Sequence, residues 1–332
     1  MKFAATIFKL LAGCALASTC IGLAPAQAGQ LHGGWNYTID SFDDGSDAGK
    51  RGAKSNYEFY GMALKETADQ VFIAINSNQV LGGVAAGNAH ANADTDPTKF
   101  DGYIHYGDLF FNFENTDLGD AQGDLFAIKF DAGNDSGVSE IGVYSNVIGQ
   151  NVTAQNKGFS SMESHRKWAN KKYTVKEEYE VVRRGRTRIR RRNVKVQGTA
   201  SMGDLSHNEY FEQGKRAVSN SIKYGDFLGG ISFLNGEELE AAGLDFGAVN
   251  AGVTGRHTIG FSFDRNLLPD GDYIAHVFAE CINDGLALKG NLPIVRLPEG
   301  DNGADVPEPG LMAGVLLLGG LGLMKRREMA AD

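Results

Sequence analysis

Cysteine is nearly missing from this chain. Three occur in 332 residues, Cys14, Cys20 and Cys281. The first two fall in a leader-like segment, so the body keeps one thiol and no intramolecular disulfide is expected. Stability would then rest on core packing or bound ions. Proline is also sparse, 7 against 44 glycines. With no Gly-x-y period, collagen is excluded. Much glycine with little proline suits many short strands joined by tight turns. Net positive charge is absent: the formal charge is −9, which argues against nucleic acid as a partner. Catalytic motifs are missing too. None of His32, His90, His105, His165, His207, His257 and His276 stands in HExxH or paired zinc spacing. Ser262, in Gly260-Phe261-Ser262-Phe263-Asp264, lacks the final glycine of a nucleophile elbow. His276 and Glu280 lie four apart on one expected strand, but two groups do not make a site. No catalytic residue is assigned and no enzymatic activity is expected.

The two ends are addresses. Residues 1–28 have the parts of a secretory signal: Lys2 and Lys9, an apolar stretch from Leu10 to Leu23, and Ala26-Gln27-Ala28 as a signal-peptidase site. At the other end Val306-Pro307-Glu308-Pro309 precedes an apolar run, Leu311 to Met324, and then Lys325-Arg326-Arg327. As a helix the run spans about 21 Å, short of the ~30 Å hydrocarbon core. It suits a membrane pause before processing better than a firm anchor. This tail resembles the PEP-CTERM sorting signal. The resemblance implies that a membrane-embedded exosortase recognises the tail and cleaves near Pro-Glu-Pro. The chain would then pass through an inner-membrane intermediate to the cell surface or extracellular matrix.

Strand signals recur along the body. Tyr57 to Leu64, Gln70 to Asn76, Asp108 to Phe113, Leu125 to Phe130, Ile141 to Val147, Gly230 to Leu234, His257 to Phe263, Tyr273 to Cys281 and Leu286 to Lys289 all read as strands. Val71, Ile73 and Ile75 alternate with Phe72 and Ala74, both sets apolar, as in a strand buried on both faces. Asn283-Asp284-Gly285 reads as a hairpin turn, because these residues tolerate positive φ. Asn235 with Glu238 resembles a capping box opening a short helix that stops near Gly243. The expected fold is all-β, a β-sandwich of jelly-roll type spanning 29–300. A basic hairpin insertion would occupy 160–198, with a linker at 301–310 and the sorting helix and basic tail at 311–332. The body also resembles exosortase-dependent surface-protein families, including cyanobacterial ones. The residues that carry this are Trp35-Asn36-Tyr37, Ile39-Asp40-Ser41-Phe42, Tyr60-Gly61-Met62-Ala63, Ala74-Ile75-Asn76-Ser77-Asn78, Tyr106 to Phe113 and Glu280 to Asp284. The resemblance implies a location and a β fold and carries no chemistry.

Two segments invite ligands. Arg166 to Lys195 carries 13 Lys and Arg against three Glu. That leaves about −19 for the rest of a chain whose total is −9. With Arg184-Gly185 at a two-residue turn, Glu178 faces Arg191, Glu177 faces Arg192, Val175 faces Val194 and Tyr173 faces Val196. Arg183, Arg184, Arg186, Arg188 and Arg190 are then left near the tip. They could bind acidic polysaccharide or another anion, could meet a neighbouring acidic protomer, or could simply be solvated. Asp40, Asp43, Asp44 and Asp47 crowd one loop and invite Ca²⁺, although an EF-hand register fails, with Phe42 at its third position and Arg51 at its twelfth. The expectation is an exported, exosortase-processed, non-catalytic surface or matrix protein associated with envelope or exopolysaccharide. The alternatives are a carbohydrate-binding or Ca²⁺-stabilised recognition module and, behind it, a secreted polysaccharide hydrolase.

Overall fold

Antiparallel pairing of the apolar segments builds the protein. The computed structural model describes residues 29–86, 101–183, 185–211 and 218–293. The leader at 1–28, Arg184, the Pro-Glu-Pro motif, the apolar run and Lys325-Arg326-Arg327 lie outside the described residues. Two six-stranded antiparallel sheets dominate. In the first, β1 (Gln30–His32), β2 (Trp35–Ile39), β5 (Phe59–Glu66) and β6 (Gln70–Ser77) form a meander. Beside β6 lies β16 (His257–Asp264), and then β15 (Ser232–Leu234) at the edge. The second sheet runs β14 (Ser221–Gly229), β11 (Gly142–Gln150), β10 (Leu125–Lys129), β9 (Leu109–Asn112), β17 (Gly271–Phe278), β18 (Gly285–Leu292). Three two-stranded antiparallel pairs complete the strands among the described residues. They are β3 (Ser46–Asp47) with β4 (Lys50–Arg51), β7 (Val84–Ala85) with β8 (Tyr103–Ile104), and the long ribbon of β12 (Lys172–Arg183) with β13 (Arg186–Gln197).

The sheets share one core. Met62, Leu64, Val71, Ile73, Ile75, Phe261 and Phe263 of the first meet Leu109, Phe111, Ile128, Val143, Val277, Leu286 and Leu288 of the second. Phe130, just past β10, stacks on Phe261 at 5.4 Å between ring centroids. Such a ring pair is worth about 0.5–1.5 kcal/mol beyond its buried area. The alternation in β6 works as the sequence implies. Val71, Ile73 and Ile75 face this core, while Phe72 and Ala74 pack outward against Trp35, Tyr37, Leu239 and Phe246. The outer cover comes from two short helices, α2 (Gly236–Ala241) and α3 (Phe246–Val249). Asn235 and Glu238 close the capping box of α2 as expected.

A jelly roll passes successive strands alternately between its sheets. Here most successive strands stay in one sheet and three connections cross, β6 to β9, β14 to β15 and β16 to β17. Short links favour pairing of sequential neighbours, which yields meanders. The segment 160–198 also differs from a plain hairpin. It opens with α1 (Met162–Ala169), capped reciprocally by Ser161 and Ser164. A serine in place of Glu or Gln at the third helical position hides that box from a pattern search. The ribbon follows, with Tyr173 opposite Val196, Val175 opposite Val194, Glu177 opposite Arg192 and Glu178 opposite Arg191. That is the register that charge and apolar pairing require.

Candidate functional site

The loop leaving β2 turns inward. Asp40 and Asp44 are 6 % and 0 % exposed, and they meet Glu58 (0 %), just ahead of β5, and Asp284 (1 %), just ahead of β18. Asp40, Asp44 and Asp284 each offer an oxygen within 4.8 Å of the others. Backbone amides fix each group. Gly203 donates to Asp40 Oδ1 (3.3 Å), Ser201 to Asp44 Oδ2 (2.7 Å) and Gly45 to Glu58 Oε2 (2.8 Å). Asp284 accepts from Phe59 N at Oδ2 (2.7 Å) and from Gly285 N at Oδ1 (2.9 Å). The second oxygens of the first three, Asp40 Oδ2, Asp44 Oδ1 and Glu58 Oε1, are buried without a hydrogen-bond donor. Gly45 makes the approach sterically feasible, since a Cβ there would sit 2.6 Å from Glu58 Cα and 2.9 Å from Asp284 Oδ2.

Burial first, opposed by hydrogen bonds from Ser201 and the backbone, raises Asp40 to about 7. Burial, reinforced by the neighbouring carboxylates, holds Asp44, Glu58 and Asp284 well above the usual carboxylate range. Hard oxygen donors at this density either share protons or hold a divalent cation.

The four aspartates singled out in the sequence therefore separate. Asp40 and Asp44 converge. Asp43 instead accepts from Ser41 Oγ (2.7 Å) and from the Tyr173 hydroxyl (2.9 Å). Asp47 accepts from Asn56 Nδ2 (2.9 Å) and pairs with Lys50 at 3.5 Å. Glu58 and Asp284 were not among the candidates, because Glu58 lies 14 residues beyond Asp44 and Asp284 reads as a turn residue. The hairpin between β17 and β18 does form there, but the positive φ falls on Ile282 (49°). Asp284 is thus free to point its carboxylate inward.

The same loop roots the basic ribbon. The Arg51 guanidinium lies between the rings of Trp168 (4.4 Å) and Tyr173 (4.5 Å). It donates to the carbonyls of Asp43, Ala169 and Lys171. Beyond this root the ribbon is exposed on both faces. Strand alternation puts Arg183, Arg186, Arg188 and Arg190 on one face, with Tyr179, Val181 and Arg192. Arg192 lies over the Tyr179 ring at 5.6 Å and pairs with Glu177 at 2.6 Å. The opposite face carries Val182 and Ile189, each 65 % exposed.

Elsewhere, a groove of about 1010 Å³ is lined by Asn36, Asn112, Asn115, Asn291, Phe113 and Tyr273, among others. Two carboxylates border it, and both are engaged: Glu66 with Arg265, and Asp272 with Asn291 Nδ2 at 2.7 Å. His276 and Glu280 do not meet. His276 stacks on Phe110 at 5.2 Å between ring centroids, whereas Glu280 accepts from the amides of His105 and Asp135. Cys281 is fully buried, and burial raises its thiol pKa, so it is a poor nucleophile. Among the described residues no helix is long and apolar enough to cross a membrane. No family model matches the chain, and neither does any curated protein or solved structure.

Proposed function

We propose that the chain is an exported, non-catalytic cell-surface or extracellular-matrix protein that associates with acidic exopolysaccharide or envelope through its arginine ribbon. Signal peptidase would remove residues 1–28. The helix at 311–332 would hold the chain briefly in the inner membrane until an exosortase cleaves near Val306-Pro307-Glu308-Pro309. The observation that carries the binding half is the ribbon face of Arg183, Arg186, Arg188 and Arg190, exposed on a strand pair that buries almost nothing of its own. Guanidinium forks at strand spacing suit rows of carboxylate or sulfate groups. A second reading, a neutral-carbohydrate module, draws on the amide-rich groove at Asn36, Asn112, Asn115 and Asn291 with Phe113 at its side.

Fractionation with intact mass measurement tests the sorting half in cells with and without exosortase activity. The expected product begins at Gly29, ends near Pro309 and leaves the inner membrane only when that activity is present. A chain ending at Asp332 and retained in the inner membrane in both strains refutes the sorting half.

A further inference from the structure

We infer that Asp40, Asp44 and Asp284, bordered by Glu58, form a Ca²⁺ site that clamps the loop after β2 onto the start of β5 and the β17–β18 turn. This goes beyond the surface role proposed above and does not depend on it. Three features carry it. First, each carboxylate is held by at least one backbone amide, from Gly203, Ser201, Gly45, Phe59 or Gly285. Such outer contacts orient ligands before an ion arrives.

Second, the oxygens left over are the right ones. Asp40 Oδ2, Asp44 Oδ1 and Glu58 Oε1 are buried and take no donor. A buried carboxylate oxygen without a donor is costly in an apolar setting, and a cation held by the Asp40, Asp44 and Asp284 triad removes that cost for Asp40 and Asp44 together. Glu58 borders the triad, because its Oε2 and Asp284 Oδ2 both crowd the same side of Gly45, at 2.5 and 2.9 Å from where a Cβ would stand.

Third, the spacing and chemistry select the ion. Two oxygens on one Ca²⁺, at about 2.3–2.6 Å each, can lie up to about 5 Å apart, and the triad falls within 4.8 Å. Mg²⁺ needs a tighter octahedron, with bonds of about 2.0–2.1 Å, and keeps several waters. The donors are all oxygen, which disfavours Zn²⁺ and Cu²⁺. Such a site would also brace the ribbon root. Asp44 O faces His165 Nε2 of α1 at 3.1 Å, and the adjoining Asp43 side chain takes the Tyr173 hydroxyl.

The competing filling is protons alone, one of them between Asp40 and Asp284. Substitution by the isosteric amide separates the two. Melting curves and calorimetric titration of the purified full chain are recorded in EGTA and then in CaCl₂, for the parent, Asp44→Asn, Asp284→Asn and Glu58→Gln. The parent is expected to bind one Ca²⁺ and to melt about 5 °C or more higher once Ca²⁺ is in roughly hundredfold excess over Kd. Each variant should weaken binding at least about tenfold. In EGTA it should melt at or above the parent temperature, because the amide is neutral without having to take up a proton. A folded parent with no Ca²⁺-dependent shift overturns the proposal. So do amide variants that keep the full shift, and so does an equal shift with Mg²⁺ at the same concentration.

Discussion

His105 is the residue whose chemistry is most exposed to test. It lies between β8 and β9 with its side chain 6 % exposed, and both ring nitrogens meet carboxylates. Nδ1 is 3.0 Å from Asp131 and Nε2 is 3.1 Å from Asp101. Burial alone would lower its pKa. Hydrogen bonds to Asp131 and Asp101, with the charges of Asp131 and Glu280, overcome that and raise it to about 9. The folded state therefore holds this proton more tightly than the unfolded chain, whose histidine titrates near 6.5. Its stabilisation is complete below about pH 6.5 and fades as pH rises through 9. Glu280, raised to about 8 chiefly by burial, slopes the same way. His105→Gln should lower Tm at pH 6.5 and flatten the decline between pH 7 and 9. Parallel Tm profiles for variant and parent would show that the imidazolium is not the cause. None of this was legible in the sequence, where His105 is one of seven scattered histidines. The acid cluster was half legible. Asp40 and Asp44 stand four apart on one loop, whereas Glu58 and Asp284 arrive through pairing of β5 and β18 with distant strands, and residue spacing does not encode that. Asp43 and Asp47 misled because neither joins the cluster: Asp43 turns to the Tyr173 hydroxyl and Asp47, on β3, to Asn56.

Elements were far more readable than sites. Strand cores such as Val71, Ile73 and Ile75 announce themselves by alternation, and the ribbon register follows from matching Glu177 and Glu178 to Arg192 and Arg191. Helix α1 escaped because its cap is a serine pair and its sequence is as charged as the ribbon beside it. Strand β14 escaped because its outward residues, including Tyr224 (61 % exposed) and Phe227 (44 %), blur the polar and apolar phases. The ribbon itself makes an element-scale prediction. Among the described residues of 176–193 the side-chain hydrogen bonds, Arg191 to Glu178 and Arg192 to Glu177, stay within the ribbon. Exposed pairs of this kind are worth about 0.2–1 kcal/mol each. Joining Val175 to Val194 through Asn-Gly should therefore leave Tm within about 3 °C of the parent, because Tyr173, Arg51 and Trp168 still close the root. A larger loss in a differential scan would mean that the distal ribbon packs on the body.

At the scale of the whole molecule the charge is divided, not balanced. The segment from Arg166 to Lys195 holds about +10 and the remainder about −19. A body of that sign repels acidic polymers, so under the proposed function contact would be made at the ribbon, which at about 3.3 Å per residue can hold its tip roughly 40 Å from the root. That reach exceeds the screening length of about 8–10 Å at physiological salt, so the tip is shielded from the body's repulsion. The chain should bind an immobilised carboxylated polysaccharide such as polygalacturonate, with affinity falling steeply as NaCl rises, and should ignore neutral dextran. The quadruple variant R183Q/R186Q/R188Q/R190Q should lose at least about tenfold in affinity while keeping its Tm, since these side chains stabilise little where they stand. Sedimentation separates this from an arm that grips a neighbouring acidic protomer. If the parent oligomerises with concentration, the quadruple variant stays monomeric and polygalacturonate is not retained, then the ribbon's partner is a second copy of the chain and the exopolysaccharide reading falls.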